Sequence, residues 1–129
     1  MRFYDNGNDE VWAEHMIPDD YQGYPGVVHG GVQSAILDEI IGRVSLIENV
    51  HHFMVAARMD VRFRKPVPTN TLLRFEARRE HISGGRGKAA GKILLPDGSV
   101  GTEAWLLLMD LPEGVRLRGT EAALGWRVD

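Results

Sequence analysis

Hydrophobic and polar positions alternate from the start of the chain. Arg2 to Asp5 reads as a short strand, and Val11, Ala13, His15 and Ile17 then alternate with Trp12, Glu14 and Met16. Between them, Asn6-Gly7-Asn8-Asp9 supplies residues that tolerate positive φ, so an N-terminal hairpin is expected. Pro18-Asp19-Asp20 ends it, and Tyr21 to Val28, with Gly23, Pro25 and Gly26, predicts a structured loop. The period then lengthens. From about Gly30 to Ile47, residues Val32, Ile36, Ile40, Val44 and Ile47 make one helical line, widened by Leu37 and Ile41. Apolar residues nearly all round predict a buried helix. The exception is a small polar face of Ser34, Asp38, Gly42 and Ser45, at i, i+4, i+8 and i+11. Glu39 points about 100° away from Asp38 and has Arg43 four residues on, which predicts a surface ion pair.

After a connector from Glu48 to Phe53 the period returns to two. Val55, Ala57, Met59, Val61 and Phe63 are expected on one face of a strand, with Arg58, Asp60, Arg62 and Arg64 on the other. Lys65-Pro66-Val67-Pro68-Thr69-Asn70 stops it. Leu73, Phe75 and Ala77 alternate with Arg74, Glu76 and Arg78 in the next strand. A hairpin loop at Ser83-Gly84-Gly85-Arg86-Gly87 leads to a strand from Lys88 to Leu95, with Ala89, Gly91, Ile93 and Leu95 on one face. Pro96-Asp97-Gly98-Ser99 is a turn, and Val100 to Met109 is the last strand, its apolar end predicting burial on both faces. Beyond it lies a C-terminal tail, 110–129, in which Glu121 to Leu124 suits a helical turn and Trp126 a docked side chain. These elements predict an α+β protein in which an antiparallel sheet wraps round one long central helix, as a single domain over 1–129. Such a layout leaves a flat side, which points to a dimer.

Composition narrows the function classes. A chain of 129 residues suits one domain with a real core. A net charge of −3 disfavours a nucleic-acid partner. The absence of cysteine excludes a thiol nucleophile, disulfides and a zinc-thiolate site, and fits a cytoplasmic location. No apolar run approaches the ~20 residues of a membrane span, and Met1 leads into Arg2-Phe3-Tyr4 without the apolar stretch of a signal peptide.

The candidate chemistry gathers at Val28-His29-Gly30-Gly31 and the helix it opens. The two glycines allow close approach to the backbone, and the helix start offers unpaired N–H groups and the positive end of the peptide dipole. Nine residues after His29 stands Asp38, an acid in an otherwise apolar segment. Gly30 and Asp38 lie ~12 Å apart along a helix at ~1.5 Å per residue. An oxyanion donor and an attacking group must both come within ~3 Å of one carbonyl. One helix cannot supply both; two antiparallel copies can. A two-fold dimer with composite sites is therefore expected, Gly30 from one subunit and Asp38 from the other.

Taken together, Tyr21-Gln22-Gly23-Tyr24-Pro25-Gly26-Val27-Val28-His29-Gly30-Gly31, Leu37-Asp38-Glu39, Asp60-Val61-Arg62-Phe63-Arg64-Lys65-Pro66-Val67-Pro68 and Asp97-Gly98 resemble the hotdog-fold acyl-CoA thioesterases, specifically the phenylacetate-pathway (PaaI-like) group. The resemblance covers most of the chain up to about Leu111. It implies a hotdog fold, a homodimer or dimer of dimers with its active site at the subunit interface, and hydrolysis of an acyl-CoA thioester. Coenzyme A is then part of the substrate and no separate cofactor or metal is implied. Asp38 takes the place of the catalytic carboxylate, as general base or nucleophile. The Gly30 N–H takes that of the oxyanion donor, His29 shapes the turn beside the thioester carbonyl, and Gly31 lines the substrate's approach. Some relatives carry Asn or Gln six residues before the histidine; here that position is Gly23, with Gln22 beside it. Gly42, one turn past Asp38, lacks the hydroxyl found in some relatives.

A thioester suits such a site, because its departing thiolate is stable enough to leave without a metal or a strong acid. Coenzyme A carries phosphates, so its site wants cations, and Arg62, Arg64 and Arg86 are candidates for its arm. Their alternative is a solvated outer strand face balanced by Asp60 and Glu76. A non-catalytic acyl-ligand binder on the same fold gains nothing from a buried acid at position 38. A hotdog hydratase or dehydratase uses a His paired with an acid in another context, absent here. No Gly-x-Ser-x-Gly marks a serine hydrolase, and the adjacent His51 and His52 have diverging side chains unsuited to one metal.

Overall fold

The computed structural model describes residues 1–47, 49 and 51–111. The readings of a helical turn at Glu121–Leu124 and of a docked Trp126 lie outside the described residues. Strands β1 (Tyr4–Asp5) and β2 (Glu10–Met16) form the expected hairpin, β1 being shorter than its Arg2 start predicts. Asn6 Oδ1 accepts from the backbone N–H groups of Asn8, Asp9 and Glu10, which holds the turn. Helix α1 (Gly30–Gly42) follows, then β3 (Met54–Phe63), β4 (Leu72–Ser83), β5 (Arg86–Leu94) and β6 (Val100–Asp110). All strands join one antiparallel sheet in the order β1-β2-β4-β5-β6-β3, so β3 is an edge of ten residues. One face of the sheet packs on α1, the arrangement expected of a hotdog fold.

The alternating positions explain the core. Ala13 on β2, Leu73 and Phe75 on β4, Ala89 and Ile93 on β5, and Ala104 and Leu106 on β6 are buried against Leu37, Ile40, Ile41 and Val44. A Cβ added at Gly91 would lie 2.6 Å from Ile41 Cγ1, so the absent side chain lets the helix sit close to β5.

The helix departs from expectation in two ways. It ends at Gly42, and Arg43–Leu46 tighten into a 3₁₀ turn instead of continuing to Ile47. Ser45 Oγ donates within reach of the carbonyls of Gly42 and His52, at 3.0 and 2.8 Å, which ties the last turn to the segment before β3. Ser45 is thereby buried and does not share an open face with Asp38. The helix is also not buried all round. Its core line runs through Gln33, Leu37, Ile40, Ile41 and Val44, while Val32 and Ile36 are half-buried and Gly31, Ala35 and Asp38 are exposed.

Two strands also differ. A bulge between Ala56 and Arg58 shifts the register of β3 on β6. Val55 pairs with Met109 and Met59 with buried Leu106, so the extra residue moves Val55 to the opposite face from Met59, Val61 and Phe63. The apolar end of β6 is covered on one face only: Leu106 and Leu108 are buried, whereas Leu107 and Met109 are 39% and 45% exposed.

Candidate active site

The loop before α1 is fixed by the backbone. The His29 N–H donates to the Tyr21 carbonyl at 2.9 Å and Val28 N–H to Val67 at 2.8 Å. Gly26 has φ +78° and its N–H donates to Gln22 Oε1 at 3.0 Å. Gln22 is thus committed to holding the loop. Gly23 packs on the turn itself: a Cβ there would sit 3.4 Å from His29 Cα and 3.6 Å from His29 Cδ2.

His29 is the N-cap of α1, and its Nδ1 accepts from the Gly31 N–H at 2.9 Å. An accepting Nδ1 carries no proton, so the proton of the neutral ring sits on Nε2. The Gly31 donor is therefore occupied, whereas the Gly30 N–H meets no acceptor among the described residues, as befits the first turn of a helix. The Phe63 ring stands over Gly30; an added Cβ there would be 3.3 Å from Phe63 Cζ.

Asp38 projects from the outward side of α1, two turns further on. Its carboxylate makes no hydrogen bond or ion pair among the described residues. Partial desolvation pushes its pKa above the usual carboxylate value, and the charge of neighbouring Glu39 pushes the same way. Glu39 is committed elsewhere. Both Nε and Nη2 of Arg43 donate to its Oε1, at 3.1 and 3.0 Å, and the Arg43 guanidinium lies 3.9 Å from the Phe3 ring centroid. This pair is more buried than the surface bridge expected, with Arg43 only 8% exposed.

Arg62 and Arg64 lie on the sheet face opposite the helix, where Arg62 pairs in register with Glu103 and Arg64 bonds Glu103 Oε2 at 2.8 Å. Arg86 opens β5 across from Met109, six residues along β6 from Glu103 and so ~20 Å away at ~3.3 Å per residue. Within one chain, then, Gly30 and Gly31 are neighbours of His29, Asp38 stands apart, and the three arginines divide between two ends of the outer face.

Sequence reasoning missed Gln33. Its Nε2 donates to the Val28 carbonyl at 2.9 Å and its Oε1 accepts from Thr102 Oγ1, both buried. The bond braces the residue just before His29. The signal was a polar residue four and seven positions ahead of Leu37 and Ile40, on the core line itself. Also missed was the contact of His52 Nε2 with Asp110 Oδ1 at 2.7 Å, which joins the connector to the end of β6. No group of His, Asp and Glu among the described residues is arranged to hold a metal, and no described helix is long and apolar enough to cross a membrane.

Residues 25–101 match the thioesterase superfamily. Several solved structures superpose on the chain. A crystal structure described as a thioesterase superfamily protein does so with TM-score 0.71 and 28% identity over 78% of this chain, which spans 49% of that one, about half its length. A hypothetical thioesterase of Streptococcus pneumoniae, crystallised with coenzyme A, gives TM-score 0.77 at 16% identity over 84% of this chain and 86% of that one. The E. coli PaaI protein of the phenylacetic acid degradation operon gives 0.74 at 14% identity over 84% and 75%. The last two likenesses are of fold. No curated protein sequence matches the chain.

Proposed function

The chain belongs to the thioesterase superfamily and has its hotdog fold, and from that premise we propose that it is an acyl-CoA thioesterase whose active site is completed across a two-fold dimer. The observation that carries this reading is Asp38: a carboxylate of raised pKa on the outward side of α1, eight residues from the Gly30 amide, the one without a partner and the other without an acceptor among the described residues. The surrounding outward positions are Gly31 and Ala35, small enough for a second helix to approach closely. An antiparallel copy brings the start of one helix to the middle of the other.

In this site Asp38 of one protomer takes a proton from water, which attacks the thioester carbonyl, or Asp38 attacks the carbon itself. The oxyanion that forms accepts from the Gly30 N–H of the partner subunit, aided by that helix's dipole. Collapse of the tetrahedral intermediate expels the coenzyme A thiolate; it leaves the free acid where water attacked, and where Asp38 attacked it leaves a mixed anhydride that water then hydrolyses to the free acid and Asp38. His29 keeps the turn in shape, and its Nε2–H is a second donor for the carbonyl oxygen. Coenzyme A as the acyl carrier is supported by the S. pneumoniae neighbour crystallised with it, and a cytoplasmic, PaaI-like member is the finer form of the reading.

Release of thiol from short, long and aromatic acyl-CoAs tests the proposal. Turnover is expected with at least one of them. Asp38→Ala should lower kcat by about 10²–10⁴-fold, the usual contribution of a positioned base, while the fold is kept. Full activity in that variant contradicts the assignment. Coenzyme A binding without turnover identifies a non-catalytic binder instead.

A further inference from the structure

The face of the sheet turned away from α1 is not the plain solvated surface its alternating charges suggest. Trp105 on β6 faces outward there, since its neighbours Ala104 and Leu106 are buried inward. Its partners in register are Ala90 on β5 and Asp60 on β3, both short, and the indole is part-exposed. Beside it lies a cleft of about 480 Å³ lined by Arg58, Asp60, Val61, Arg62, Arg64 and Trp105, a volume in the range of small-ligand sites. In a chain of net charge −3, this cleft holds three arginines against Asp60 and the neighbouring Glu103.

The arginines are not equivalent. Arg64 is bound to Glu103 through Nε and Nη2, at 3.0 and 2.8 Å. Arg58 Nε lies 3.3 Å from Asp60 Oδ2. Arg62 has no carboxylate within ion-pair distance among the described residues; its guanidinium sits 5.9 Å from the Trp105 ring centroid. An arginine with no carboxylate partner among the described residues, beside a part-exposed indole, is the pairing that takes a base by stacking and its phosphates by charge. The cleft also adjoins the proposed site. Arg62 precedes Phe63, whose ring stands over Gly30 from the other face of β3. A long, flexible thioester arm need only turn round that edge strand.

We propose that this cleft is the nucleotide subsite of the acyl-CoA site, with the adenine stacked on Trp105 and the phosphates held by Arg62. The assignment rests on reading the substrate as an acyl-CoA. It also sorts the arginine candidates: Arg62 leads, Arg64 is tied to Glu103, and Arg86 is too far along the sheet to share the cleft.

The test compares an acyl-CoA with the matching acyl-pantetheine thioester, which lacks the nucleotide, and adds calorimetric titration with adenosine 3′,5′-bisphosphate. Arg62→Gln and Trp105→Leu should each raise KM for acyl-CoA about tenfold, with kcat little changed and acyl-pantetheine kinetics unaltered. The same variants should weaken adenosine 3′,5′-bisphosphate binding about tenfold. Equal effects on both thioesters, or none on either, overturn the subsite. If the wild-type protein hydrolyses neither thioester, the enzymatic reading fails and the titration alone decides. Bisphosphate binding that Arg62→Gln and Trp105→Leu abolish then upholds the cleft, and no binding, or binding indifferent to both, overturns it.

Discussion

Asp38 shows how far one residue's surroundings set its chemistry. Desolvation and the Glu39 charge both favour its protonated form. Glu39→Gln removes the second cause, so the acid limb of the kcat/KM profile should move to lower pH. An unmoved limb would mean that another group titrates there. The same shift bears on stability. Folding raises the Asp38 pKa, so the folded chain holds that proton more tightly than the unfolded one. The resulting stability is full below the unfolded value and is lost as pH rises through the folded value. At neutral pH the carboxylate is thus a destabilising presence, and Asp38→Asn should raise the thermal midpoint while removing activity. A lowered midpoint would show that the carboxylate has a stabilising partner. Asp38 was legible in the sequence because an acid interrupts an apolar helical pattern. Gln33 was not read, because a buried amide differs from an exposed one only by its partners, here the Val28 carbonyl and Thr102. Gln33→Ala strands both of them and should cost about 1–3 kcal/mol in urea unfolding.

Among the elements, strands and helix followed from period alone, because one sheet face and one helix stripe must meet in a core. Their errors share a cause: periodicity does not see departures from regular geometry. The bulge at Ala57 inserts one residue and turns Val55 to the other face. The 3₁₀ turn at Arg43–Leu46 depends on Ser45 reaching the His52 carbonyl, a contact with a segment the helix pattern does not include. Leu107 and Met109 read as buried because they are apolar, yet only one face of β6 meets α1. Gly91 marks where helix and sheet come closest. Gly91→Ala places a methyl 2.6 Å from Ile41 Cγ1 and 3.0 Å from the Glu76 carbonyl oxygen, so it should destabilise by about 1–3 kcal/mol through overpacking. A variant as stable as the parent would show that α1 can lift from β5 at little cost.

At the scale of the whole molecule, the separation of Gly30 from Asp38 is the feature that a single chain leaves unexplained. The sequence carried this much, since eight helical residues fix a distance whatever surrounds them. Which surface meets which was not legible, because the outward face of α1 is defined only once the sheet covers the other. A two-fold pairing makes two identical sites, each with one residue from either chain. Position 30 allows a sharp test. It is the first residue of the helix, where proline is tolerated, and His29 already has φ −57° and ψ 136°, as a residue before proline requires. Gly30→Pro should therefore remove the amide donor and keep the fold, the exposed Phe63 ring giving way by a few tenths of an ångström to the added Cβ, and lower kcat by about 10²–10³-fold. The most direct measurement is complementation between Gly30→Pro and Asp38→Ala, unfolded and refolded together at equal amounts. Mixed dimers hold one intact site, so turnover should recover to about a quarter of the wild-type value, from half the dimers with half their sites restored. Mixed dimers that form, as shown by co-purification on a single tag, yet remain as inactive as either parent would contradict the shared site.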